Sequence, residues 1–183
     1  VGGYEQNRGK GNAVRYGLSQ ARGEIIGFVD AGFDLDYSAI PLALEHMKWY
    51  SADIVVGSKR HPASKVTYPW QRRLLSWGYQ MGVRALFGIN VRDTQVGMKF
   101  LKRKVVRQLL PRLLVKEFAF DIEILAVASA LGFTRIYEAP VELRLEFGGT
   151  STIASRGFIV TAFRMLKDTL AVFYRLKIMK YYY

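Results

Sequence analysis

The chain has 183 residues, 50% of them hydrophobic, enough for one domain with a real core. Its 27 Lys and Arg against 15 Asp and Glu give a formal charge of +12, which favours polyanions (nucleic acid, phosphorylated small molecules or anionic lipid) without choosing among them. The absence of cysteine excludes a disulfide framework and a thiolate metal site, His46 and His61 lie apart without a zinc motif, and no apolar run is long enough to span a bilayer.

In chain order, Gly9 and Gly11 open a helix running to about Ala21 and closed by Gly23. Glycines at a helix start expose backbone N–H groups, and Lys10 adds a full charge, which makes an anion site; the spacing is not that of a P-loop, and glycine-rich helix starts are common without any ligand. The apolar run Glu24-Ile25-Ile26-Gly27-Phe28-Val29 reads as a buried strand and ends in Asp30-Ala31-Gly32-Phe33-Asp34-Leu35-Asp36. Carboxylates at the end of such a strand lie at the rim of a sheet, where open α/β folds bind ligands, and they suit a hard divalent cation. An acidic turn leading into a helix cap fits the same residues.

Ser38 is expected to cap a second helix with Pro41 in its first turn, and residues 53–57 form a second buried strand. This alternation of helix and strand predicts a parallel α/β sheet. Gly57-Ser58-Lys59-Arg60 then opens a basic loop, placed at the same rim as Asp30. The helix of residues 70–87 carries Arg72 and Ser76 four residues apart on one face, a guanidinium and a hydroxyl able to grip a phosphate, or else a solvated basic face. Asp93-Thr94-Gln95-Val96-Gly97-Met98-Lys99 is a polar loop entering a strand at 96–101, and residues 103–110 form a short basic helix.

A strong helix over 118–131 ends at Gly132 and carries Asp121 and Glu123 in its first turn. Residues two apart share no helical face, so a paired acid/base role is disfavoured, and favourable charge at the helix start explains one of them. Strands at 134–138 and 141–145 are expected to be broken at Pro140, with a flexible loop at 148–152. From about Arg156 the chain is one long helix with a broad apolar surface of Phe158, Ile159, Phe163, Leu166, Leu170, Phe173 and Leu176. Lys177 and Lys180 flank Tyr181-Tyr182-Tyr183, the pattern of a helix lying in a membrane interface; packing on the domain or on another subunit is the alternative.

Taken in this order and at this spacing, these segments resemble the family-2 glycosyltransferases, and within them the polyprenyl-phosphate sugar synthases, such as the dolichyl-phosphate mannose and glucose synthases. The motifs are Asn7-Arg8-Gly9-Lys10-Gly11, the Asp30 cluster, Gly57-Ser58-Lys59-Arg60, Arg72-Arg73-Leu74-Leu75-Ser76, residues 93–99 and Ala119-Phe120-Asp121-Ile122-Glu123. The resemblance implies an α/β GT-A fold with a mostly parallel sheet, a nucleotide-sugar donor of UDP-glucose or GDP-mannose type, Mg²⁺ or Mn²⁺, and inversion at the anomeric carbon. It implies a lipid-phosphate acceptor at a membrane surface, peripheral attachment to the cytoplasmic face, and no nucleic-acid partner.

By the same resemblance, Asp30 opens an Asp-x-Asp motif whose second aspartate is Gly32 here, so the metal falls to Asp30 and Asp34. Lys59, at a position usually occupied by arginine, joins Arg72 and Ser76 around the acceptor phosphate, Lys10 serves the substrate, and Asp93 and Gln95 line the sugar site. Residues 1–152 form a partial catalytic domain whose first strand and base-binding loop precede Val1, and 153–183 form the amphipathic helix, whose apolar face leaves room for a homo-oligomer. A catalytically impaired scaffold of the same fold is the second reading, motivated by Gly32. A basic nucleic-acid-binding module is the third, though no nucleic-acid motif is present.

Overall fold

The structure, a computed structural model, describes residues 8–31, 36–65, 70–117, 119–142 and 156–183, and not the side chains of 70–75, 156–159 and 161. The strands β1 (Ile25–Val29), β2 (Ile54–Ser58), β3 (Met98–Lys102) and β4 (Ile136–Pro140) form a sheet in the order β1-β3-β2-β4. The helices are α1 (Lys10–Gln20), α2 (Ala39–Trp49), α3 (Trp70–Phe87), α4 (Arg103–Leu109), α5 (Phe120–Ala130) and α6 (Arg156–Phe173), the last continued by a π-helical turn, Tyr174–Ile178.

Alternate strand residues separate two apolar layers. Ile25, Val55, Met98 and Phe100 face a layer built with Ala39, Ala43 and Met47 of α2. Ile26, Ile54, Val56 and Leu101 face the larger layer, which takes in side chains of α1, α3, α4, α5 and the π-helical turn. Helices therefore cover both faces of the sheet, as its two-sided burial requires. Helix α5 is apolar almost all round and is buried from Phe120 to Ala128.

The sheet is mixed. Strands β2 and β4 pair in parallel, but β3 runs antiparallel to both β1 and β2. Three strands share one direction and β3 alone is reversed. A strand buried on both faces is a continuous apolar run in either direction, so the sequence pattern carries no sign of the reversal. The reversal sets the functional geometry: the end of β1 meets the start of β3, with Val29 opposite Met98. The C-terminal ends of β1, β2 and β4 and the N-terminal end of β3 thus share one rim.

Other local expectations are corrected. Ser38 makes no side-chain cap; the Asp36 carboxylate accepts the Ser38 N–H at 2.8 Å and the Asp36 carbonyl accepts from Ala39 at 3.3 Å. Pro140 does not break a strand but ends β4 opposite Ser58, on a sheet edge where a missing N–H is harmless. Glu142 bridges to Lys65; the rest of the strand expected at 141–145, and the loop at 148–152, lie outside the described residues.

The inner face of α6 is integral to the core. Val172 and Leu176 are fully or almost fully buried in the larger layer, and the Tyr182 hydroxyl donates to Glu123 at 2.7 Å. Tyr182 therefore does not sit at headgroup level as the sequence pattern suggested, while Tyr181 and Tyr183 are exposed. The boundary expected at 152 falls outside the described residues. No helix among the described residues is long and apolar enough to cross a membrane.

Asp53 clamps the base of the sheet, its carboxylate taking Arg135 at 3.3 Å and Lys104 at 3.1 Å. Burial pushes its pKa up, but the hydrogen bonds from Arg135 and Lys104 more than reverse that, leaving it below the usual range. A depressed folded-state pKa stabilises above the unfolded value of about 3.9 and loses that contribution as pH falls through the folded value. Asp53→Asn is accordingly expected to lower stability at neutral pH, with the gap from the unsubstituted protein closing below about pH 4, as read by denaturant unfolding across pH.

Candidate active site

Asp30 leaves β1 and is fixed by its own backbone, which donates to Gly97 O at 2.6 Å. The approach is so close that any Cβ at position 97 would collide with the Asp30 carboxylate. Only glycine at 97 lets the β1–β3 register bring the carboxylate to the rim. The Asp30 side chain is 46% exposed there, and its Oδ2 accepts from Lys10 Nζ at 2.8 Å.

Lys10 also donates to Asp121 at 2.9 Å, and the other Asp121 oxygen takes Lys99 Nζ at 2.5 Å. Lys99 and Asp121 are almost wholly buried. Lys99 is satisfied by a further bond to Val96 O at 2.8 Å and lies over the Phe28 ring. The result is a row of alternating charges, Lys99, Asp121, Lys10 and Asp30, leading from the core to the open rim. Burial would lower the pKa of Lys10, but the Asp121 and Asp30 carboxylates outweigh it and raise the pKa, so its charge is secure at neutral pH. The glycines beside Lys10 have a packing role: Gly9 has φ +90, and Gly11 donates to Lys116 O at 2.8 Å where a Cβ would strike the Phe120 ring.

Along the rim, Asp93 holds two loops together. Its carboxylate accepts the Lys59 N–H at 3.2 Å and the Gln95 N–H at 3.1 Å. The N–H groups of Arg92 and Asp93 go in turn to Glu138 on β4, at 2.8 and 3.1 Å. Both Asp93 oxygens thus accept main-chain groups, and the residue positions the loops that carry Lys59 and Gln95. The Gln95 Nε2 atom is buried and has no hydrogen-bond partner among the described residues. Arg60 reaches across to α3, donating from Nη2 to Ser76 Oγ at 2.8 Å. One turn further along α3, the half-buried Tyr79 meets Thr169 Oγ1 with its hydroxyl at 2.8 Å, and Thr169 donates to Met165 O at 2.7 Å. Burial pushes the Tyr79 pKa up to about 12, so it stays a neutral donor tying α3 to α6.

Of the residues singled out from sequence, Lys10, Asp30, Lys59, Ser76, Asp93 and Gln95 are all placed on the elements and loops of this rim. Asp34 lies outside the described residues, and so does the side chain of Arg72 on α3. Lys59 and Arg60 read together from the sequence as two cations able to hold phosphates, with the acceptor role given to Lys59, and it is Arg60 that is bonded to Ser76. Asp121 and Lys99 were missed as site residues. A lysine inside the otherwise apolar run Val96-Gly97-Met98-Lys99-Phe100-Leu101 is the signal that points to a buried carboxylate partner. Glu123 serves elsewhere, accepting the N–H groups of Leu114 and Val115 as well as the Tyr182 hydroxyl.

The donor set fits a divalent cation of Mg²⁺ or Mn²⁺ type. Asp30 offers a hard, half-exposed oxygen ligand, and no cluster of three or more acidic or histidine side chains stands among the described residues. A hard carboxylate oxygen of this kind suits a cation that completes its shell with water and substrate phosphates.

Residues 4–110 match the family model described as Glycosyl transferase family 2. The chain belongs to this family. It is 35% identical over 133 residues to a dolichyl-phosphate beta-glucosyltransferase of Drosophila melanogaster, covering 69% of this chain and 41% of that protein. It is 28% identical over 183 residues to the enzyme of that name from Saccharomyces cerevisiae, covering 92% of this chain and 53% of that protein. The chain thus spans about half the length of the curated relatives it matches. Among solved structures, glucosyl-3-phosphoglycerate synthase from Mycobacterium tuberculosis, in complex with Mn²⁺, UDP-glucose and phosphoglyceric acid, superposes with a TM-score of 0.64 at 16% identity, over 90% of this chain and 55% of that one. The same enzyme with Mg²⁺ and UDP gives 0.58 at 17% identity, over 91% and 53%. The family-2 fold expected from the motifs is the fold observed, with its sheet mixed.

Removing one partner of a buried ion pair costs roughly 3–5 kcal/mol, because the other charge is stranded. Asp121→Leu, which strands Lys99, is expected to destabilise this family-2 domain by about that amount, and Lys99→Met with Asp121→Leu to recover part of it, in a double-mutant cycle followed by urea unfolding.

Proposed function

We propose that this chain carries the metal and acceptor side of a glycosyltransferase that moves glucose from UDP-glucose to dolichyl phosphate, with inversion. The observation that carries the proposal is the convergence, on one sheet rim of a family-2 fold, of an anchored carboxylate and two separate cationic centres. The two dolichyl-phosphate beta-glucosyltransferases described above favour glucose and dolichyl phosphate over mannose and other acceptors.

In this reading Asp30, with Asp34, holds Mg²⁺ or Mn²⁺ together with the donor pyrophosphate. The bound cation supplies charge neutralisation to the departing nucleotide diphosphate. Lys10 adds a permanent positive charge at the N-terminus of α1, aimed by Asp121 from below and Asp30 from beside it. Lys59 and Arg60, with Ser76 and Arg72, receive the acceptor phosphate. Lysine at 59 keeps the charge of the usual arginine but loses its two-toothed grip, and Arg60 restores a guanidinium one residue on. Gln95, on loops that Asp93 fixes, has an amide nitrogen without a partner among the described residues and would turn it to a sugar hydroxyl.

The acceptor phosphate is already anionic near neutral pH, so no strong base is needed. Its oxygen forms the bond to the anomeric carbon on the face opposite the nucleotide, and the anomeric bond to the nucleotide breaks, its electron pair leaving with UDP. Orientation and charge placement account for the catalysis.

Transfer of labelled glucose from UDP-glucose to dolichyl phosphate, assayed on the protein in its natural full length with Mg²⁺ or Mn²⁺, is expected to be lost at least about a hundredfold in Asp30→Ala. No transfer by the folded, unsubstituted protein overturns the reading and favours a scaffold; transfer only from GDP-mannose overturns the choice of sugar. Arg60→Lys is expected to raise the acceptor KM about tenfold and leave the donor KM unchanged, since it removes a planar grip on the acceptor phosphate alone. Steady-state kinetics with each substrate varied in turn decides this.

A further inference from the structure

The inner face of α6 buries Thr169, Val172 and Leu176 against the domain. Its outer face is also apolar, and among the described residues it is open. Phe163 is 69% exposed, Leu170 48% and Ile178 63%, with Leu166 and Tyr174 between them on the same stripe. From Arg156 to Ile178 the helix and its π-turn run about 35 Å, at about 1.5 Å per residue. A contiguous apolar stripe of this length on a water-facing helix marks an interaction surface rather than scattered exposure.

The charge beside the stripe selects the partner. Arg164, Lys167, Lys177 and Lys180 are exposed along it, and Asp168, half-buried, is the one acidic residue between 156 and 183. A second copy meeting this face by two-fold symmetry would set the same basic row against itself. Long basic side chains beside an apolar stripe instead lay their stems on acyl chains and reach anionic headgroups. We propose that the outer face of α6 is the surface by which this protein lies on an anionic lipid bilayer, with Phe163, Leu166, Leu170, Tyr174 and Ile178 inserted at the acyl boundary.

This deepens the proposed function and rests on it for the reason a bilayer is at hand: the acceptor phosphate would be carried by a membrane lipid. The fold links the two surfaces. Tyr79 and Thr169 bond α3 to α6, and Ser76, which holds Arg60, lies one helical turn before Tyr79. The docking helix and the phosphate cradle are thus braced by one strut.

The test is flotation of the protein with vesicles of phosphatidylcholine alone and of phosphatidylcholine and phosphatidylglycerol in equal parts. Binding is expected to the anionic vesicles and to weaken with salt. Phe163→Asp with Leu170→Asp should reduce it at least about tenfold, since each large apolar side chain contributes roughly 1.5–3 kcal/mol when buried. Lys177→Gln should reduce it about fivefold, from about 1 kcal/mol per basic residue near an anionic surface. Trp49→Asp, which removes an exposed aromatic from α2, should leave it unchanged.

Equal binding of the Phe163/Leu170 variant and the unsubstituted protein, with the fold intact by circular dichroism, overturns the proposal. A dimer in sedimentation that the same variant dissociates, without vesicle binding, also overturns it in favour of a second copy. Transfer to a water-soluble short-chain prenyl phosphate separates the two readings. A variant that loses vesicle binding and keeps this activity supports the docking face. Absence of the activity in an unsubstituted protein that still binds anionic vesicles leaves the docking face standing and removes the transferase.

Discussion

A full positive charge in the core has to be answered, and the Lys99 ammonium organises the structure around that need. Desolvation of an ammonium costs several kcal/mol unless a carboxylate and further acceptors meet it. Asp121 is the carboxylate, so the first turn of α5 must lie directly under the start of β3. The same carboxylate has an oxygen to spare, and Lys10 takes it, which draws the start of α1 to the same place. Glycine at 9 and 11 permits that approach, because α1 is pressed against the 115–117 backbone and the Phe120 ring. A demand that begins in the core therefore ends by presenting a rigid cation and the Asp30 carboxylate at the open rim.

The second cationic centre is built differently. Lys59 and Arg60 sit on a loop, and the rigidity comes from main-chain bonds collected by Asp93 and Glu138 rather than from a buried pair. The Lys10–Asp30 side of the rim is thus held by charge inside the protein, and the Lys59–Arg60 side by a lattice of backbone hydrogen bonds. In the proposed reading, such a division suits a reaction in which one phosphate group is left behind and the other advances.

How much of this was legible in the sequence depended on the range of the interactions. Asp30 could be read because a buried strand ending in a carboxylate places it at a rim without further knowledge. Helices α1, α3 and α5 could be read from periodicity and glycine. The role of Asp121 could not, because its own helix offers only favourable charge at the helix start as a reason for it, while its partners are 22 and 111 residues away. The reversed direction of β3 was invisible for the reason that buried strands look alike. Tyr182 looked like an interfacial aromatic until the buried Glu123 carboxylate claimed its hydroxyl. Lys59 and Arg60 were both legible as cations for a phosphate, but only the fold decides which of two adjacent cations turns toward α3.

The contact between Gly97 and the Asp30 carboxylate also bears on how this fold can drift over evolutionary time. The two positions are coupled sterically, so they cannot vary independently. While an acidic residue at 30 is retained by selection, 97 is confined to glycine. Loss of the carboxylate alone does not release 97, because the Cβ of residue 30 would itself lie 2.7 Å from a Cβ there, so a side chain at 97 requires the rim to rearrange. A copy of this domain bearing a bulky residue at 97 would therefore record the abandonment of this rim geometry, and the pair serves as a fossil marker that separates lineages that keep it from those that have lost it.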